Sequence, residues 1–186
     1  MDSSAAATAT ATASADQVWA WLGEVADPEI PVISVVDLGI VRAVDFNGAE
    51  CVVTITPTYS GCPAMQVIAD AITDALRGHG VGQVRLVTQL SPAWTTDAMS
   101  AAGKLKLRDY GIAPPAQQVV DISRLRAGAD IGIRRSALAR LPKLTVACPR
   151  CGSEHTEMSS QFGSTPCKAL YKCLACREPF DYFKCH

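Results

Sequence analysis

Two Cys-x-x-Cys pairs near the C-terminus carry the strongest chemical signal in the chain. They are Cys148-Pro149-Arg150-Cys151 and Cys173-Leu174-Ala175-Cys176, separated by 21 residues. Two thiolates held one tight turn apart grip one side of a tetrahedral ion. A second such pair completes a four-sulfur shell, the pattern of a structural zinc ribbon. Gly152 follows the first pair, where a positive φ lets backbone N–H groups turn toward sulfur. Arg177 holds the matching place after the second pair, so that knuckle is less ideal. Disulfides and a thioredoxin-type redox pair are the competing readings. A redox pair belongs between a strand and a helix, whereas this doubled motif sits in a short β-like segment. Cys167, Cys185 and His186 add three potential ligands, more than a single tetrahedral site can use. They read either as substitutes within the ribbon or as a second, labile site.

Cys62 is a different kind of thiol. It lies in Thr56-Pro57-Thr58-Tyr59-Ser60-Gly61-Cys62-Pro63, at the expected start of a helix. Unpaired N–H groups and the positive end of the helix dipole stabilise a thiolate there and lower its pKa. Such a cysteine serves as a nucleophile, a soft-metal ligand or a transient cluster ligand. The alternative is a cysteine that merely caps the helix or fills the core. Asp37 precedes Leu38-Gly39 and reads as a turn former or helix-cap partner. Folded beside Cys62, it would instead orient that loop or add a hard ligand. Cys51 alternates with Val53 and Ile55 along one strand and is expected in the core. His79, between two glycines, and His155, after the first knuckle, are expected at the surface.

The elements that position these residues follow from pattern. Ser14 with Gln17 forms a capping box ahead of an apolar stripe of Val18, Trp21, Leu22 and Val25, predicting a helix over 14–25. Pro28 and Pro31 end it. Strands are expected over 40–46 and 49–56, joined at Asn47-Gly48 by a type I′ turn. A helix opening at Cys62-Pro63 carries Ala64, Val67, Ile68, Ala71, Ile72, Ala75 and Leu76, and stops at Gly78 and Gly80. The strand expected over 83–90 would run parallel to the one before the helix, closing a right-handed crossover. A further short helix is expected near 95–102. The fold class is therefore α/β (α+β): a small mixed sheet covered by helices in the order α-β-β-α-β-α, then a zinc-ribbon-like β module. The expected domains are a disordered tail over 1–13, the α/β domain over 14–115, a linker over 116–142 and the ribbon over 143–186.

Composition sets the limits. The chain has 186 residues, 48% of them hydrophobic, enough for one core and a small satellite. A net charge of −1 gives no general attraction to nucleic acid or anionic membranes. Residues 143–186 hold six Lys/Arg against four Asp/Glu, far from a nucleic-acid footprint. The linker is more basic, with five arginines and one aspartate over 122–142, and reads as solvated. No run is long enough for a membrane span, and no signal peptide is evident. Eight cysteines without a secretion signal imply a reducing, cytosolic setting in which thiols serve metals or chemistry. Hydrolase and phosphate-loop motifs are missing.

Several segments together resemble a known family. Asp27-Pro28-Glu29-Ile30-Pro31, Val36-Asp37-Leu38-Gly39-Ile40, the run ending at Cys62-Pro63 and Trp94-Thr95-Thr96 resemble the small SufT-like domain of iron–sulfur protein maturation. The segments from Phe162 to Cys173 and from Glu178 to His186 are similar to the D-subunit family of phenylacetyl-CoA epoxidase. The resemblance implies an accessory protein of aerobic phenylacetate breakdown that assists cluster or metal-centre assembly and has no established catalysis of its own. It places the family's functional cysteine at Cys62, and implies structural zinc with a transient iron or iron–sulfur cluster. The implied partners are the oxygenase and ferredoxin-reductase-like subunits. The competing role is a non-catalytic structural adaptor in the oxygenase complex. A homodimer is compatible with either.

Overall fold

The computed structural model describes residues 13–59, 61–115 and 145–184. Most of the expected tail and all of the expected linker lie outside these residues. The chain divides into two compact units between Lys106 and Leu107.

The first unit begins with α1 (Ala15–Leu22), opened by the expected capping box: Ser14 Oγ accepts from Gln17 N–H while Gln17 Oε1 accepts from Ser14 N–H. The chain then folds back over 24–40. Ala26 bridges Ser34, and Asp27 Oδ1 accepts from the N–H groups of Glu29 and Ile30 at 2.9 and 2.8 Å. Strands β1 (Val41–Asn47) and β2 (Glu50–Ile55) form the antiparallel hairpin. Its turn is shifted by one residue from expectation. Asn47 pairs with Glu50, so the central residues are Gly48 and Ala49, and Gly48 alone has a positive φ, +63°. One positive φ in the first central position fits a type II′ turn rather than I′.

Helix α2 (Met65–Gly78) and strand β3 (Gln83–Thr88) complete the crossover, with β3 parallel to β2 and the sheet order β1-β2-β3. Cys51, Val53 and Ile55 point to the core, as do Val18 and Leu22 of α1 and Ile68, Ile72 and Leu76 of α2. A 3₁₀ turn (Thr96–Ala98) leads into α3 (Ala101–Tyr110). Gly39 and Gly103 permit two close approaches here. At φ +72°, a Cβ on Gly39 would lie 2.2 Å from the Ala98 carbonyl oxygen. A Cβ on Gly103 would lie 2.9 Å from the Asp37 carbonyl oxygen.

The second unit is a four-stranded sheet. Its strands are β4 (Ile112–Ala113), β5 (Thr156–Ser160), β6 (Lys168–Cys173) and β7 (Pro179–Phe183), in the order β4-β7-β6-β5. Strand β4 differs from the expected boundary at residue 115, because it pairs in parallel with β7. Gly111, at φ +93°, turns the chain out of α3 into this extended pair, which is too short to show a period of two. Ala113, Val146, Ala169, Tyr171, Phe180 and Tyr182 form the core together with Cys148 and Cys173. Tyr171 meets Tyr182 edge-on at 5.4 Å, an arrangement favoured by the ring quadrupoles.

Candidate functional site

Cys148, Cys151, Cys173 and Cys176 converge, their sulfurs all within 4.8 Å of one another. Cys148 Sγ lies 3.8 Å from Cys176 Sγ, and Cys151 Sγ lies 3.6 Å from Cys173 Sγ. A tetrahedron with Zn–S bonds of about 2.3 Å has edges of about 3.8 Å, so the cage matches a four-thiolate ion site. A disulfide would need sulfurs about 2.05 Å apart. The first knuckle is closed by Gly152 N–H donating to Cys148 carbonyl at 2.9 Å, with Gly152 at φ +74°. The second takes the same left-handed step at Arg177, φ 69°, the sole non-glycine with positive φ among the described residues. The N–H groups of Cys176 and Ala175 face Cys173 sulfur and, against the opposing effect of desolvation, bring its thiol down to about 6. A thiol so prepared releases its proton readily to a metal.

Cys167 is buried outside this cage, 3.0 Å from Thr165 Oγ1. Cys185 and His186 lie outside the described residues. His155 is exposed, and its backbone rather than its ring ties the knuckle, its carbonyl accepting from Leu174 N–H.

Cys62 belongs to the first unit, half-buried in the loop between β2 and α2. It stands three residues ahead of the helix, not at its first turn, and the N-cap is Ala64. Burial raises its pKa above the usual thiol value. The N–H groups of Ala64 and Met65 pull it down, and the carboxylates of Glu29 and Asp27 push it up. The net shift is upward, opposite to the expected one, because desolvation and two nearby acids outweigh two backbone donors. This field opposes a bare thiolate but favours a thiolate together with a cation. In the sequence, Asp27 and Glu29 read only as the end of a helix and as part of a family motif. Their signal is an acidic pair around Pro28, directly after a capped helix.

Asp37 is engaged elsewhere. Its Oδ1 accepts from Ser100 Oγ at 2.7 Å and its Oδ2 pairs with Lys106 Nζ at 2.5 Å. Ser100 Oγ in turn accepts from Gly103 N–H, capping α3. Burial works against the Asp37 charge, but Lys106 and the Ser100 and Ser34 hydroxyls prevail and hold its carboxyl below the ordinary 3.8. Trp94 Nε1 donates to Leu38 carbonyl at 2.9 Å, fixing the same turn from the other side.

Comparison with known proteins gives these sites a context. Residues 134–184 match the family described as PaaD zinc beta ribbon domain, and residues 15–86 match the family described as iron-sulfur cluster assembly protein. The chain is 48% identical to an Escherichia coli (strain K12) protein described as the D subunit of 1,2-phenylacetyl-CoA epoxidase, over 91% of this chain and 92% of that one. The chain belongs to the D-subunit family of phenylacetyl-CoA epoxidase. The two family matches divide it into an assembly-type domain carrying Cys62 and a ribbon carrying the four-cysteine cage. The first domain is also similar to the "Fe-S protein maturation auxiliary factor YitW" of Bacillus subtilis (strain 168), 33% identical over 50% of this chain and 91% of that one. A solved domain of unknown function, DUF59, from Bacillus anthracis is 28% identical with a TM-score of 0.47, covering 50% of this chain and 90% of that one. Among the described residues no helix is long and apolar enough to cross a membrane.

Proposed function

We propose that the chain assists assembly of an iron–sulfur cluster or metal centre in a phenylacetyl-CoA epoxidase system. Its clients would be the oxygenase or the ferredoxin-reductase-like subunit. Cys62 is the thiol that binds the cargo, and Glu29 and Asp27 supply the negative field that favours a cation beside it. Asp37 supports the site at one remove, by tethering α3 to the turn before β1. Zinc, held by Cys148, Cys151, Cys173 and Cys176, supplies folding free energy to the ribbon, on the order of 10 kcal/mol in small zinc modules.

One observation carries the reading: the chain keeps two unlike sulfur sites in separate units. Four thiols close on themselves in a shell with no open position, while one half-buried thiol stands with acids around it. The first suits a resident structural ion and the second suits a transient one. The test is to purify the oxygenase and reductase subunits from cells with and without this chain, and to measure metal, cluster content and turnover. Low cofactor occupancy without the chain, restored by wild type but not by Cys62→Ser, is the expected result. Full occupancy with lost turnover would establish the structural-adaptor role in its place.

A further inference from the structure

The four thiols of the ribbon cage differ in how far solvent reaches them. Cys148 and Cys173, the first cysteines of the two knuckles, are 2% and 0% exposed and pack in the core with Tyr171 and Tyr182. Cys176 is half-buried, and Cys151 is the exposed member of the four. The knuckle turns explain the difference. The N–H groups of Cys148 and Cys173 donate to the carbonyls of Ser153 and Glu178, each at 2.9 Å, which folds the first cysteine of each knuckle inward. Cys151 stands within the first turn between Arg150 and Gly152, which are exposed as well.

An exposed thiolate beside a second sulfur is the arrangement in which oxidation is both easy and reversible. Across the cage, Cys151 Sγ lies 3.6 Å from Cys173 Sγ. Cys176 N–H donates to that same Cys173 sulfur at 3.5 Å and holds it in place. A disulfide bond is about 2.05 Å long, so the pair closes with a movement of about 1.5 Å.

We propose that Cys151 is an oxidation site through which a hydroperoxide unloads the ribbon metal. The inference rests on the reading of the cage as a zinc site. The Cys151 thiolate attacks one peroxide oxygen, an S–O bond forms, the O–O bond breaks, and hydroxide leaves with the electron pair. The sulfur is oxidised by two electrons to a sulfenic acid, and the peroxide is reduced. The Cys173 thiolate then attacks the Cys151 sulfur. An S–S bond forms as the S–O bond breaks, and a second hydroxide leaves. In sum, two thiolates and one peroxide become one disulfide and two hydroxides. Only Cys148 and Cys176 remain as thiolate ligands, half of a tetrahedral shell, and the ribbon no longer holds its ion. A dithiol reductant reverses the exchange and restores the site.

The test is to treat the full zinc-loaded chain with limiting hydrogen peroxide beside a chromogenic chelator too weak to strip the reduced protein. Aliquots are alkylated and mapped by tandem mass spectrometry. Zinc counted beforehand checks the zinc reading by itself, and a chain isolated without it overturns that reading and this inference together. The expected result is two thiols lost for each zinc released, a first disulfide between Cys151 and Cys173, and full rebinding after dithiothreitol. Cys151→His keeps a ligand that tetrahedral zinc accepts but removes the oxidisable sulfur, and should slow peroxide-driven release at least ~10-fold. Cys176→His, at the matching place in the second knuckle, should release zinc to peroxide at close to the wild-type rate. The disulfide map of the wild-type chain decides the matter even where a variant binds no zinc. Zinc retained through peroxide treatment overturns the proposal and leaves the zinc reading standing. A first disulfide at another pair, or equal protection by both histidine variants, does the same.

Discussion

At the scale of single residues, Cys173 and Cys62 sit in opposite local fields, while Cys176 in the same cage is raised, a backbone donor being outweighed by desolvation and the neighbouring thiols. Cys173 receives backbone donors and is acidified to about 6, whereas Cys62 is buried near Glu29 and Asp27 and its pKa is raised. Glu29→Gln removes one of the opposing charges from Cys62. Alkylation of Cys62 at neutral pH, followed by peptide mass spectrometry, should then be faster by about two- to five-fold, the size expected of one partly screened charge. An unchanged rate would mean that the Glu29 charge does not act on the thiol. The knuckle turns make a paired prediction. Gly152 has open space around its Cα, so Gly152→Ala costs only the left-handed conformation, about 1 kcal/mol. Arg177 already bears that cost, and Arg177→Gly should stabilise the ribbon by about 0.5 kcal/mol after allowing for glycine's freedom when unfolded. Rates of metal release to a chelator should move in opposite directions in the two variants.

At the scale of elements, α3 is held to the turn before β1 by the Asp37 carboxylate together with a backbone bond from Ser100 N–H to Asp37 carbonyl. Asp37 accepts from Ser100, the residue capping α3, and from Lys106 one turn and a half further on. Its folded pKa lies below 3.8, so its contribution to stability is fully present above the unfolded value of about 3.9. That contribution is lost as pH falls through the lower folded pKa. Asp37→Asn should therefore lower the melting temperature at neutral pH, by an amount matching about 1 kcal/mol, since Lys106 is half exposed and partly screened. Wild type and variant should begin to draw together as pH falls below about 4 and converge only below the lower folded pKa. Parallel melting curves at every pH would show that the carboxylate charge is not what holds the helix.

At the scale of the whole molecule, the division into two units predicts two independent responses to metal removal. All three tryptophans, Trp19, Trp21 and Trp94, lie in the first unit, while Tyr171 and Tyr182 lie in the ribbon core. A strong chelator should release the ribbon metal and change the near-ultraviolet tyrosine signal, because the ion would cross-link two knuckles whose Cys148 and Cys173 pack in the same core as Tyr171 and Tyr182. Tryptophan fluorescence and its thermal transition should stay as they were. Joint loss of both signals would mean that the first unit depends on the ribbon for its fold.

Local chemistry made much of this legible in the sequence. The capping box at Ser14 and Gln17 and the burial of Cys51 depend on neighbours a few residues apart or on a fixed period, the parallel crossover through α2 on the handedness of a strand–helix–strand unit, and the convergence of the four knuckle cysteines on a repeated motif with metal-site spacing. The remaining features required contacts between distant segments. The Asp37–Ser100–Lys106 tether spans more than sixty residues, and the two-residue strand β4 exists only because β7 pairs with it. The pKa of Cys62 is the clearest case. Its position before a helix pointed to an acidic thiol, but burial and the acids folded back from residues 27 and 29 reversed the sign. A dipole at a helix start is written locally, whereas desolvation and the charges across a fold are fixed only when the chain has closed upon itself.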